Sequence, residues 1–433
     1  MDKLLAVTVF VLAYILIIIF FEKKLLVVWG AVLVLLLLKV QSPLESLTAI
    51  NWNVVLLYFG MRFVSEVFLY SKMPDYLATQ FASRTSNTAV AMLVICAFTG
   101  ALSISLDNVT VILLVSPIAL SMSRQCNINP VPLFIGMAVS SNLQGTATLI
   151  GDPPSMLLGS FAHLSFNDFF VLNGRPGIFF AVQIGALASL VVLYFVFRHF
   201  RHPMPKLELA RYVSLVPTIM VGFLVLFLML SSFVRSPAED AANWAHFAYE
   251  ARAGILCCIF GAMLFVWYLQ HSKRMDVVEF LKLVDWQTGA FLVGIFILVN
   301  SLSVRGIVDD IAGGLVTVSS SNVLLAYVLI VVISVMFSAV IDNIPFLVAM
   351  LPVMKTMTEQ MGVSPYLFYF GLLVGASVGG NITPIGASAN IVAMGIMKKH
   401  GHKPSFGQFV KIGLPFTLVA VTASAAFVWF FFR

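Results

Sequence analysis

Ser103-Ile-Ser105-Leu-Asp107-Asn108-Val-Thr110 and Gly145-Thr146-Ala-Thr148-Leu-Ile-Gly151-Asp152-Pro153-Pro154-Ser155 are two polar clusters set inside long apolar sequence. A carboxylate at the middle of a bilayer costs about 2.5–3.5 kcal/mol on insertion scales, so its presence there points to a use. Glycine and paired proline interrupt a helix. Interrupted backbone is tolerated at membrane depth only where protein or a water-filled cavity satisfies it. Both clusters return downstream, as Ser338-Ala-Val-Ile-Asp342-Asn343-Ile-Pro345 and Gly380-Asn381-Ile-Thr383-Pro384-Ile-Gly386-Ala387-Ser388-Ala389-Asn390.

The two copies keep one register. Ser103 and Ser338, Asp107 and Asp342, Asn108 and Asn343, and Pro117 and Pro352 are each 235 residues apart. So are Gly145 and Gly380, Thr148 and Thr383, and Gly151 and Gly386, while Trp52 and Trp286 are 234 apart. A unit that holds its spacing across two separated motifs is a duplication. Duplicated, interrupted hydrophobic segments are the sequence signature of a transporter's binding site.

Composition agrees with a polytopic membrane protein. The 433 residues are 60% hydrophobic and 10% charged, whereas a soluble domain is about a quarter charged. Mean hydropathy is +1.01. The net charge of +6 fits basic cytoplasmic loops and gives no sign of nucleic acid as a partner. Cys96, Cys126, Cys257 and Cys258 have neither metal-ligand nor disulfide-framework spacing and read as inert. His163, His246, His400 and His402 fall in expected loops without ligand spacing, so no metal site is expected. The apolar run 4–20 lacks a small-residue cleavage site and reads as a retained first span. No nucleotide-binding loop is present, so no enzymatic activity is expected, although an ATPase partner is left open.

The expected fold is an all-α polytopic membrane protein of ten transmembrane helices and two re-entrant hairpins. A first repeat, 1–198, holds scaffold spans within 1–71, a hairpin at 88–122, a broken span at 131–160 and a span at 177–198. A cytoplasmic linker at 199–212 leads to a second repeat, 213–433. That repeat holds scaffold spans within 213–304, a hairpin at 322–357, a broken span at 366–397 and a span at 411–431. Placing the basic linker in the cytoplasm puts 16 of the 25 Lys and Arg on that side, Lys23 and Lys24 among them, and eight outside. Corresponding spans are five apart, an odd number, so the two repeats should have inverted topology.

Half-helix N-termini suit anions, and unwound carbonyls suit cations. Two inverted units would bring both kinds of end to one midplane site. The expected solute contacts are Asn108, Thr110, Thr146, Thr148, Asn343, Asn381, Thr383, Ser388 and Asn390. Asp107, Asp152 and Asp342 are the expected proton or cation coupling groups, because a carboxylate at such a site can exchange a proton within the working pH range. Asp107 and Asp342 also stand where an N-cap would. Asp152 faces Ala387 in the register and so breaks the symmetry. Arg62 and Glu66 are four apart on one helix face and read as a structural ion pair.

Leu106-Asp107-Asn108-Val109-Thr110, Gly145 to Pro154, and Gly379-Gly380-Asn381 to Asn390 resemble motifs of the ion transporter superfamily. That superfamily holds arsenite and antimonite permeases (ArsB-type), sodium–proton antiporters (NhaD-type), sodium–dicarboxylate symporters and the melanosomal P protein. The likeness covers nearly the whole chain and is greatest to P-protein-like permeases. It implies an elevator mechanism, in which hairpins and broken spans carry solute past a scaffold, which usually dimerises. The dicarboxylate symporters have Ser-Asn-Thr at both tips, where this chain has Asp107-Asn108-Val109-Thr110 and Asp342-Asn343-Ile344-Pro345. Ile382-Thr383-Pro384-Ile385-Gly386 resembles the arsenite permeases.

The expected function is proton-coupled secondary export of a small inorganic solute such as arsenite or antimonite. Hydroxide forms of these solutes would be bound through oxygen by Asn, Thr, Ser and backbone N–H groups, with no dedicated cation. A sodium–proton antiporter and a sodium-coupled carboxylate symporter are the alternatives. No cofactor is expected beyond H⁺ or Na⁺ as coupling ion. The expected location is a bacterial or archaeal inner membrane.

Overall fold

The computed structural model describes residues 2–85, 87–200, 203, 211–272, 277–320 and 322–433. Among them the regular structure is helical apart from one short strand pair. The first half opens with α1 (Asp2–Ile19), α2 (Lys24–Leu37), α3 (Pro43–Thr48), α4 (Trp52–Tyr70) and α5 (Met73–Ser83). It continues with α6 (Thr88–Ser103), α7 (Asn108–Gln125), α8 (Val131–Gly145) and α9 (Pro153–Phe161). The antiparallel strands β1 (Val171–Leu172) and β2 (Arg175–Pro176) then lead into α10 (Ile178–Phe197). The second half opens with α11 (Val216–Ser231), α12 (Asn243–Glu250), α13 (Arg252–His271), α14 (Val277–Leu283), α15 (Trp286–Val304) and α16 (Ile307–Val318). It ends with α17 (Val323–Ser338), α18 (Asn343–Met361), α19 (Tyr366–Gly379), α20 (Ser388–Lys399) and α21 (Phe406–Phe432).

The sequence register reappears as helix boundaries. α6, α7, α8 and α9 start 235 residues before α17, α18, α19 and α20, and α4 starts 234 before α15. The Asp-Asn motifs fall at the breaks, 104–107 between α6 and α7 and 339–342 between α17 and α18. The Gly-rich motifs break the next apolar segment in each half, between α8 and α9 and between α19 and α20.

The segments 88–122, 131–160, 322–357 and 366–397 each hold an interrupted pair of helices, and 177–198 and 411–431 one helix each. Five described helices (α4, α10, α13, α15 and α21) are long and apolar enough to cross a bilayer alone. α2, α6, α11, α17 and α19 are shorter apolar helices, as is the apolar run Lys3–Ile19 in α1. Five further helices (α3, α5, α12, α14 and α16) lie outside the expected spans and hairpins. They are short and carry polar faces, so no apolar window reveals them. α5 buries Pro74, Ala78, Thr79 and Ala82 on one side and packs on α6 and α7. α16 buries Ile307, Val308 and Ala312 and packs on α18. Most of the linker expected at 199–212 lies outside the described residues, as do Lys273 and Arg274.

Packing divides the helices into two sets. In one, α4 lies along α13 and α11, and α15 along α2 and α1. Small residues set the closeness of α4 and α13: a Cβ added at Gly60 would come within 2.5 Å of the Cys257 backbone. Cys257 is fully buried in that seam and Cys258 Sγ donates to the Leu56 carbonyl, so both thiols serve packing. The other set holds both breaks of each half: α6 packs on α8, α17 on α19, and α10 on α21. There Ser424 Oγ of α21 donates to the Ala181 carbonyl of α10 at 2.9 Å. The sets meet where α9 touches α4 and where α18 touches α15 and α16.

Candidate functional site

At the first tip, Asp107 has extended backbone and its Oδ1 accepts from the Val109 N–H at 2.9 Å, capping α7. Its Oδ2 accepts from Arg62 Nη1 at 2.5 Å and from the Thr110 hydroxyl. Arg62 Nη1 also donates to Thr110 Oγ1 at 2.8 Å, and Nη2 to Glu66 Oε1 at 2.9 Å. The Arg62–Glu66 pair expected from helical spacing is present, and it extends to the tip carboxylate. All three ionisable side chains are largely buried.

The second tip is built differently. Asp342 makes no side-chain bond to the first turn of α18, so the capping expectation holds for Asp107 and fails for Asp342. Its carboxylate instead accepts from Lys24 Nζ at 2.6 Å, across 318 residues of chain. Lys24 is the first residue of α2, and its ammonium also sits 4.7 Å from the centre of the Phe291 ring. Lys24 therefore stands at a helix start against the second tip rather than in a loop. A carboxylate with 9% of its side chain exposed needs an opposite charge, and Lys24 supplies it.

Around these differences three polar bonds recur at matching positions in the two halves. Ser103 Oγ donates to Asn108 Oδ1 at 2.5 Å, and Ser338 Oγ to Asn343 Oδ1 at 2.6 Å. Thr148 Oγ1 donates to the Ile104 carbonyl, and Thr383 Oγ1 to the Ala339 carbonyl. Ser155 Oγ donates to the Gly145 carbonyl and Asn390 Nδ2 to the Gly380 carbonyl. Each pair of partners keeps the offset of 235. These bonds tie each tip to the neighbouring broken segment. They also explain two glycines. A Cβ at Gly386 would sit 2.6 Å from the Gly380 carbonyl oxygen and 3.0 Å from that of Ser338. Gly151 is equally closed in by Gly145 and Ser103.

The halves also join through a cluster of buried amides. Asn142 Nδ2 donates to Asn381 Oδ1 at 2.8 Å and to Asn390 Oδ1 at 3.0 Å. Its Oδ1 accepts from Asn108 Nδ2 at 3.2 Å. Asn381 Nδ2 returns to the Val139 carbonyl at 3.0 Å. Asn142, Asn381 and Asn390 are all buried, and each amide finds partners in the other half. Asn142 was not among the expected residues, because its counterpart in the register is Ser377 and a symmetry search passes over it.

Both tips open on one cavity of about 110 Å³. Asp107, Asn108, Asp152, Asp342, Asn343 and Ser388 line it, all of them expected site residues. The other expected residues lie behind this wall. Thr110 supports Asp107 and Arg62, while Thr146 donates to the Asn142 carbonyl. Thr146, Thr148 and Thr383 donate to backbone carbonyls behind the wall, and Asn381 and Asn390 belong to the buried amide cluster. Asp152 lines the cavity and caps α9 through the Ser155 N–H at 3.0 Å, whereas Ala387 leaves the start of α20 without a side-chain cap.

The opposite wall was missed. Lys24, Tyr58, Arg62, Asp285 and Thr288 also face the cavity. Asp285 caps α15 through Thr288, and Tyr58 donates to the Asp285 carbonyl at 3.2 Å. The expectation of a site without a dedicated cation is overturned, since two cationic side chains meet four carboxylates there. Five helix starts also face it, through Lys24, Asn108, Pro153, Asn343 and Ser388. Such ends favour negative charge or polarised oxygen. Among the described residues no group of three or more His, Cys, Asp or Glu could hold a metal ion. His163 and His246 face a separate, open pocket with Arg252.

Residues 14–375 match a family model described as a citrate transporter, CitMHS. An uncharacterized transporter of Mycobacterium tuberculosis is 30% identical over 440 residues, spanning 99% of this chain and 98% of that protein. The P protein of Homo sapiens is 24% identical over 445 residues, covering 87% of this chain and 53% of that protein. Among solved structures, the YdaH transporter of Alcanivorax borkumensis aligns with a TM-score of 0.61 at 13% identity, covering 99% of this chain and 97% of that one. MtrF of Neisseria gonorrhoeae, described among antimetabolite efflux pumps, aligns with a TM-score of 0.58 at 15% identity, covering 92% and 83%.

Proposed function

The chain belongs to the citrate transporter (CitMHS) family, and on that premise we propose that it is a proton-coupled secondary carrier of a small carboxylate anion. The family and its relatives are membrane transporters, not enzymes. The observation that carries the reading is the single cavity on which both Asp-Asn tips open, with each tip carboxylate held by a cation from the other helix set. Protonating Asp107 and Asp342 frees Arg62 and Lys24 to pair with the carboxylates of a solute. Anion entry and proton uptake are then linked by charge balance at Lys24, whose ammonium would otherwise lose its carboxylate in a poorly solvated site, whereas Arg62 keeps Glu66.

In this reading α6–α7 and α17–α18 are re-entrant hairpins of two inverted repeats. They move with the broken segments as an elevator past a scaffold containing α4 and α15. A homodimer would anchor that scaffold in an inner membrane. A second reading, proton-coupled export of arsenite or antimonite, is favoured by the small cavity and by the uncharged groups of Asn108, Asn343 and Ser388. Ligand pockets for larger molecules measure roughly 300–1,000 Å³.

Proteoliposomes loaded with a pH-sensitive dye separate the readings. A citrate or smaller carboxylate gradient should drive protons in the same direction as the anion, in sodium-free buffer. Arsenite-driven proton flux with no response to carboxylates would favour the second reading. Proton flux driven by sodium alone would contradict both.

A further inference from the structure

Lys24 places a fixed positive charge where a carrier of this architecture could hold a mobile one. Asp342 lies at the end of a broken segment, takes no bond from the N–H groups of α18, and meets the ammonium at 2.6 Å. The C-terminal end of α17 adds its carbonyl dipoles to the same break. α1 covers the tip, where Tyr14 donates its hydroxyl to the Pro345 carbonyl at 2.6 Å. Carboxylate, broken backbone and shielding from water are what a monovalent cation needs. The first tip differs, because Asp107 has the Val109 N–H and the Thr110 hydroxyl as well as Arg62.

We propose that the Lys24 ammonium is a tethered substitute for a coupling cation at the second tip. Sodium is excluded while it is in place, and its removal opens a monovalent-cation site on Asp342. The inference rests on the transport reading only in making Lys24 the residue that selects protons over sodium. The cation site itself is a matter of local charge. In Lys24→Met the thioether fills most of the lysine stem, leaves an ammonium-sized gap and strands a buried carboxylate. Sodium or lithium should enter that gap.

Melting of the purified protein reads this directly, with sodium chloride compared against choline chloride at constant ionic strength. Wild type should melt at one temperature in both salts. Lys24→Met should melt lower in choline and recover as sodium is raised, since a ligand that binds only the folded state stabilises it by mass action. The double variant Lys24→Met/Asp342→Asn should lose the sodium response, which assigns it to this carboxylate. Lys24→Gln provides a second test of the same gap. Equal sodium stabilisation of wild type and Lys24→Met would overturn the proposal, as would no sodium response in either Lys24 variant, including failure to fold in both salts. No transported solute is needed, so a failure of the transport reading would show separately, as wild-type vesicles without solute-driven proton flux.

Discussion

Arg62 and Asp107 hold each other's charge out of water, and Glu66 and Thr110 complete the set. Removing one partner of a buried pair leaves an uncompensated charge, at a cost of about 3–5 kcal/mol. Arg62→Ala should therefore lower the melting temperature far more than Arg62→Gln/Glu66→Gln/Asp107→Asn, which removes all three charges; equal losses would show that the cluster is not buried as described. Asn142 makes a second residue-scale prediction. Asn142→Ala strips hydrogen bonds from Asn108, Asn381 and Asn390 at once. Each orphaned buried group costs about 1–3 kcal/mol. The melting temperature should drop, and Asn142→Asp should not restore it, because a carboxylate oxygen would then face the Oδ1 atoms of Asn381 and Asn390. The acidic tips were visible in the sequence because a carboxylate in apolar surroundings stands out. Lys24 was not, because a lysine after Glu22-Lys23 reads as the edge of a span. Its partner is 318 residues away, a distance that no local pattern encodes.

The breaks rather than the helices carry the information at the level of elements. Gly151 and Gly386 let the broken segments run against the carbonyls of Gly145, Ser103, Gly380 and Ser338. Gly386→Ala forces that backbone apart, and overpacking of this kind costs about 1–3 kcal/mol. The variant should melt lower, whereas Gly395→Ala, where an added Cβ meets nothing within 4 Å, should be neutral or better. Similar losses at both glycines would remove the close approach from the account. Apolar run length and the Gly, Pro and Asp-Asn punctuation located α6 to α9 and α17 to α20 from sequence. α5 and α16 were missed for a physical reason: each buries a single narrow face, and polar residues such as Asp75, Asp309 and Asp310 dilute its hydropathy. Asp152→Ala should cost about 1 kcal/mol as a lost cap. A much larger loss in transport than in melting would give Asp152 a further part in coupling.

Across the whole molecule, a register of 235 residues becomes paired struts around one cavity, bridged by Asn142. The duplication was legible because both copies keep their spacing. The cavity's second wall was not, since Tyr58, Asp285, Thr288 and Lys24 acquire meaning only when separate helices pack together. The most direct test is solute-driven proton flux in proteoliposomes of wild type, Asp107→Asn and Asp342→Asn, with folding of each checked by melting. Wild type should couple the two flows, and each folded variant should lose the coupling, because both tip carboxylates act on one site. Full proton-coupled transport in both variants would contradict it.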